Sequence, residues 1–134
     1  MIRNYINPAT GLISLITSTS VGSPVKVFTS STTGGPVSGG VTGRENAVTT
    51  IALCNTAAPD PANEATNSVT VNVYIVAAGL TPDPANLVVS NLVIPAGETV
   101  FFSEERIVLS SSDEIWIGTS AAAILAVTVS VLAV

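Results

Sequence analysis

Apolar and polar side chains alternate most clearly in two parts of this chain. The first part sets Val69, Val71, Val73 and Ile75 against Thr70, Asn72, Tyr74 and Val76. The second, near the C-terminus, sets Leu125, Val127, Val129 and Val131 against Ala126, Thr128 and Ser130. A β-strand turns successive side chains to opposite faces, so each pattern predicts a strand with one aliphatic face. We expect the aliphatic face of the C-terminal strand to lie in the core.

The segment from Ala47 to Ala77 is predicted to hold two central strands, to which the later strands are added. Its first strand places Val48 and Ala52 on one side and Ile51 and Leu53 on the other. Because large or apolar residues occur on both sides, this strand is expected to be more buried than the second, or covered on both faces. The connection to the second strand is rich in turn-forming residues.

The remaining apolar runs are short and separated by turn signals, with no amphipathic helix among them. A tight turn, Pro95 to Glu98, is expected to join the strand Leu87–Ile94 to a partner strand, Thr99–Ser103. Together these features predict an all-β fold: an antiparallel β-sandwich, jelly-roll or Ig-like, over residues 25–134. Its other strands are predicted at 25–30, 106–109, 115–119 and 123–134.

Five letters, Pro-Asp-Pro-Ala-Asn, occur twice, at residues 59–63 and 82–86. The flanking residues do not match, which favours two loops with the same turn chemistry over an internal repeat. Proline restricts its own φ, and Asp and Asn side chains hydrogen-bond to nearby backbone. The two loops are expected at the same end of the domain.

Residues 1–24 are interpreted as an extended N-terminal arm. Four large aliphatic residues lie between a turn-forming start and a linker-like stretch: Leu12, Ile13, Leu15 and Ile16. An ordinary frayed terminus seldom carries such a cluster. We therefore expect the arm to dock on another subunit or on a neighbouring protein instead of packing into its own sandwich.

Charge is scarce and unevenly distributed. Charged residues make up 10% of the chain, against about 25% in an average soluble domain. Residues 1–44 carry three basic residues and no acid, whereas residues 45–134 carry nine acids and one base. A weakly charged, apolar surface favours a homo-oligomer that also contacts other proteins. The acidic body argues against nucleic acid as a partner.

Residue types for catalysis are missing or badly placed. The chain has no histidine, which excludes Cys–His and Ser–His nucleophiles. Cys54 is expected to be a buried structural cysteine, and the acidic pairs 104–105 and 113–114 to be solvated turn residues. We predict a non-enzymatic protein without cofactor or bound metal. Phe101 and Phe102 should point to opposite faces of their strand, and both are candidate assembly contacts together with the four aliphatic residues of the arm.

The C-terminal apolar run, residues 121–134, is shorter than a membrane span and contains Thr128 and Ser130. It is interpreted as a buried strand, and no membrane partner is expected. The single cysteine and the absence of a recognisable signal peptide indicate synthesis in a reducing cytoplasm.

Two stretches, Thr50-Ile51-Ala52-Leu53-Cys54-Asn55-Thr56 and Val69-Thr70-Val71-Asn72-Val73-Tyr74-Ile75-Val76, resemble a group of small structural proteins of tailed bacteriophage virions. The resemblance continues, in order, through Pro84–Leu87, Pro95–Thr99, Ile107–Leu109, Asp113-Glu114 and the final strand. It covers about residues 46–134 but not the arm.

This resemblance implies a β-sandwich that assembles in rings or on a capsid lattice. The expected function is a virion structural protein, located at the neck, collar or tail or on the capsid surface as a decoration protein, and made in the bacterial host cytoplasm. The alternative is a secreted or surface-exposed carbohydrate-binding or adhesin module. The scarcity of aromatic residues counts against this alternative.

Overall fold

Two antiparallel sheets pack face to face in the computed structural model, which describes residues 2–5, 20–30, 46–104, 107–121 and 124–133. The described residues form nine strands and one short 3-10 turn, Pro84–Asn86. The strands are β1 Ile2–Tyr5, β2 Val25–Thr29, β3 Asn46–Asn55, β4 Val69–Val76, β5 Leu87–Ile94, β6 Thr99–Phe102, β7 Ile107–Leu109, β8 Glu114–Thr119 and β9 Leu125–Ala133. The predicted all-β sandwich is confirmed.

The strands pair as a nested hairpin. The outermost pair is β1 with β9, followed by β2 with β8, β3 with β6 and β7, and β4 with β5 at the tip. Alternate pairs fall in opposite sheets. The first sheet has the order β1-β9-β3-β6, with β7 also on β3, and the second sheet has the order β2-β8-β4-β5. This winding is a jelly roll, and the Ig-like alternative has a different strand order.

The two central strands of the sequence prediction are not partners. β3 lies in the first sheet and β4 in the second, and inward residues of both strands belong to one core. The alternation of apolar and polar residues in β4 indicates which side chains face inward, but it does not indicate which strand pairs with β4. The connection between them, residues 56–68, is long enough to pass from one sheet to the other.

A bulge explains the mixed pattern of β3. The register with β9 shifts between Val48 and Thr50, so Val48, Ile51 and Leu53 all point into the core. Of the two alternatives, a largely buried strand is what the structure shows, since no residue of β3 is exposed, whereas its outer face is not fully covered. Its outward residues are small and half-buried.

The turn Pro95–Glu98 is a corner between sheets, not a hairpin. β5 pairs with β4 and β6 pairs with β3, so the predicted pairing of these two strands is wrong. Gly97, with φ 78°, donates its N–H to the carbonyl of Asn55, and Asn55 donates its own N–H to Glu98. These bonds attach the corner to the end of β3.

The two Pro-Asp-Pro-Ala-Asn segments share the predicted turn chemistry. Asp60 accepts the N–H of Ala62 at 2.9 Å, and Asp83 accepts the N–H of Ala85 at 2.6 Å. However, the first segment precedes β4 and the second follows it, so they lie at opposite ends of that strand. The expectation that they share one end is wrong.

The described parts of the N-terminal segment contact the sandwich of their own chain, whereas the arm was expected to lie on another subunit or a neighbouring protein. Ile2–Tyr5 adds a strand to β9. Val21 lies over the second sheet, where its carbonyl accepts the Tyr74 hydroxyl at 3.3 Å. Leu12, Ile13, Leu15 and Ile16 lie outside the described residues, and their docking on a neighbour stays a prediction.

The core lies between the sheets and is almost entirely aliphatic. As predicted, the inward residues of β9 are buried: Leu125, Val127, Val129 and Val131. They meet the inward faces of β4 and β8, including Val71, Ile115 and Ile117. Burying residues of this type stabilises a fold by about 1.5–3 kcal/mol each before the cost of chain ordering.

Candidate assembly surfaces

The two adjacent phenylalanines of β6 point in opposite directions, as expected. Phe102 pairs with Ile51 and packs against the core. Phe101 pairs with Ala52, and 63% of its surface is exposed. Since the ring of Phe102 packs against the core, the ring of Phe101 is the one that another molecule can contact. A contact with a second subunit stays a prediction for both residues.

Phe101 belongs to a sheet surface without charged residues, here called the neutral face. It consists of the outward residues of β3, β6, β7 and β9. On the two middle strands, over residues 46–55 and 125–131, these are small: Ala47, Thr50, Ala52, Cys54, Ala126, Thr128 and Ser130. On the strands beside β3 they are Thr99, Phe101 and Val108.

The register gives this face a definite shape. Phe101 lies beside Ala52, which lies beside Thr128. Val108 lies beside Ala47, and 52% of its surface is exposed. Phe101 and Val108 both lie on the side of β3 that faces away from β9, and Phe101 stands beside the small side chains of Ala52 and Thr128. Glu98 and Glu104, both exposed, flank β6 at its two ends.

The second sheet presents a different outer surface. Lys26 and Glu114 form an ion pair at 2.8 Å between β2 and β8. The backbone at Val21 covers Gly118 and the polar ends of Asn72 and Tyr74. Further large apolar side chains are exposed near β5: Leu80, Val88 and Val93.

Trp116 lies on β8 between Lys26 and Tyr74 in neighbouring strands. Its ring is half-buried, and its buried Nε1 has no hydrogen-bond acceptor among the described residues. Tyr74 is 7% exposed. Carbohydrates stack on open aromatic faces, and these two rings do not form an open platform.

The cysteine and the acidic pair that were considered for chemistry lie in positions where they contribute to the fold. Cys54 is half-buried on the neutral face, so the expectation of a buried structural cysteine is wrong. Asp113 accepts the backbone N–H groups of Ala78 and Ser110 at 3.0 and 2.9 Å. With Glu114 bound to Lys26, this acidic pair stabilises loops and strands instead of being solvated. No cluster of potential metal ligands occurs within the described residues.

Sequence reasoning found Phe101 but missed Val108, Val88 and Val93. The strand Ile107-Val108-Leu109 is apolar throughout, so composition does not show which residue points outward. The register decides it, because Leu109 pairs with the buried Asn46 and Val108 with the outward Ala47. In β5, register shifts against β4 alter the alternation on which the prediction depends.

No family model, curated protein or solved structure matches this chain. In the part of the chain that the structure describes, no helix is long and apolar enough to cross a membrane.

Proposed function

We propose that this chain is a non-enzymatic structural protein of a tailed-phage virion, which assembles as an oligomer at the neck, collar or tail or on the capsid surface. The observation that carries the proposal is the neutral face, because it offers Phe101 and Val108 to solvent beside a row of small side chains. Exposed apolar sheet surfaces of this kind are typical of protein–protein contacts.

Two further observations support the proposal. The order of strand and turn motifs over residues 46–134 resembles phage structural proteins. Jelly rolls are common in viral capsid proteins, although they also occur in lectins. Since one fold serves many functions, the argument for assembly depends on the exposed surface and not on the fold.

The proposal is tested by isolating phage particles from a host that carries the gene and locating the chain in them. We expect it to sediment with intact particles through a density gradient, at a fixed ratio to the major capsid protein. Electron cryomicroscopy of the same particles would then show its position. Deleting the gene should remove that density.

A chain that is absent from purified particles would contradict the proposal. Recovery of the protein outside the cell, bound to a glycan resin and released by free sugar, would support the carbohydrate-binding alternative instead.

The arm is tested in the same particles by substitution, because deletion would also remove the strand Ile2–Tyr5. Replacing Leu12, Ile13, Leu15 and Ile16 together by serine should leave the melting temperature of the purified protein unchanged. It should reduce the copy number per particle, since four aliphatic side chains would no longer be buried against a neighbour. Full occupancy by this variant would contradict a docking arm.

A further inference from the structure

The edges of both sheets are interrupted, which limits how copies can associate. Along β5 the register against β4 shifts twice, between Val71 and Val73 and between Val73 and Tyr74. The register of β2 also shifts, and Lys26 projects from this strand. β6 and β7 are separate short strands along the same side of β3, and β1 has four residues. Bulges, charges and short strands prevent edge-to-edge pairing. Association is therefore expected through a face.

The distribution of charge favours the neutral face as the surface through which copies associate. The chain carries a net charge of −5, so two copies repel when their acidic parts approach. The outward residues of β3, β6, β7 and β9 carry no charge. Two copies that meet through these strands avoid like-charge contacts in the centre, and Glu98 and Glu104 remain at the ends of β6.

The shape of the neutral face is suited to a copy of itself. Phe101 projects beside the small residues Ala52 and Thr128. In a two-fold arrangement, Phe101 of each copy packs on the small residues of β3 and β9 of the other copy. A two-fold contact uses the same patch twice, so both rings are buried by one interface.

We infer that the neutral face is a self-association surface that packs against the neutral face of a second copy. This inference rests on the proposed function, since it names the surface through which an assembling protein would contact itself. The three strand positions of the neutral face span about 400 Å² at ordinary strand spacing. Stable interfaces bury about 800 Å² on each partner, so an isolated pair should be weak and concentration-dependent.

The test is sedimentation of the purified full chain over a concentration series from about 1 to 500 μM, the range in which weak complexes with modest interfaces dissociate. Phe101→Glu and Val108→Glu each place a charge within the proposed contact. We expect either substitution to raise the dissociation constant at least about tenfold, because each occurs twice in a two-fold interface.

Val88→Glu is the matched control. Val88 and Val108 are the same residue type with nearly equal exposure, 53% and 52%, but they lie in opposite sheets. The control adds the same charge, so its dissociation constant should stay close to that of the unchanged protein. Thermal melting of all variants shows whether they fold. If Phe101→Glu does not fold, Val108→Glu carries the comparison.

Cys54 supplies a second readout on the neutral face itself, because it is the single cysteine of the chain. Its reaction with a thiol reagent should slow as the protein concentration rises. Raising the salt from about 0.05 to 0.5 M should preserve or strengthen association, because salt screens repulsion between acidic residues.

Three results would overturn the inference. The chain could stay monomeric at every concentration, or Val108→Glu and Val88→Glu could associate equally well. Association could also be lost at high salt, which is expected if the basic N-terminal part of one copy pairs with the acidic body of another. A chain that is monomeric in solution but present in particles would overturn this inference alone. A chain that associates through the neutral face but is absent from particles would overturn the proposed function alone.

Discussion

The α-carbon of Gly118 lies directly beneath the backbone of Val21, so that a methyl group at Gly118 would overlap the Val21 carbonyl oxygen. This contact holds the segment before β2 against the outer face of the second sheet. The same carbonyl accepts the hydroxyl of Tyr74 from β4. The glycine is therefore required by a close approach of two backbones and not by its own backbone angles.

Gly118→Ala is expected to lower the free energy of unfolding by about 1–3 kcal/mol, because either β8 or the Val21 segment must move. Urea denaturation followed by circular dichroism measures this change. Gly22→Ala is the control, since a methyl group there would meet its nearest atom, the Ser20 Oγ, at 3.7 Å. Equal stability of the two variants would show that the Val21 segment does not pack as described.

Asn55 connects three parts of the fold through one buried side chain. Its Nδ2 donates to the carbonyls of Asn67 and Ile94 at 2.8 and 3.0 Å, and its Oδ1 accepts the N–H of Ala57 at 3.0 Å. Asn55→Ala leaves these groups without their partner, so we expect a loss of about 2–4 kcal/mol. Chemical denaturation provides the measurement.

Asn63→Ala is the comparison for Asn55, because its Oδ1 accepts one exposed N–H, that of Ala65. We expect a loss of about 0.5 kcal/mol for this exposed turn. Similar losses at the two positions would mean that the network around Asn55 does not join the sheets.

Val129 and Thr128 are neighbours on β9 that point to opposite faces. Val129 is 6% exposed and lies in the core, whereas Thr128 lies on the neutral face. Val129→Asp buries an unpaired carboxylate and should cost about 4 kcal/mol or more, enough to prevent folding. Thr128→Asp should cost about 1 kcal/mol. Soluble expression and melting temperature report the difference, and normal melting of Val129→Asp would place this residue outside the core.

Strand positions were predictable because they depend on local information. The alternation of Val69 to Val76 and of Leu125 to Val131 shows directly which residues face inward, and turn residues mark where strands end. Phe101 was identified as a candidate contact for the same reason, since adjacent residues of a strand point to opposite faces. The identity of the neighbouring strands was not predictable in this way.

The register between paired strands determines which residues form the neutral face, and the sequence pattern does not show this register. Val108 is exposed because Leu109 beside it pairs with Asn46 in the core, and nothing within Ile107-Val108-Leu109 distinguishes these orientations. In β3, the bulge between Val48 and Thr50 changes which residues share a face. One extra residue reverses all later orientations in a strand, so a pattern read without its partner strand gives the wrong surface.

The sequence by itself determined the all-β class, most strand positions and the aliphatic face of the last strand, because these follow from the two-residue period of a strand and from local turn chemistry. Only the tertiary structure decided that β3 and β4 lie in opposite sheets, that Pro95–Glu98 turns between sheets, and that Phe101 and Val108 border one uncharged face. These features depend on hydrogen bonds between residues far apart in the chain, and such pairings leave no periodic signal in the sequence.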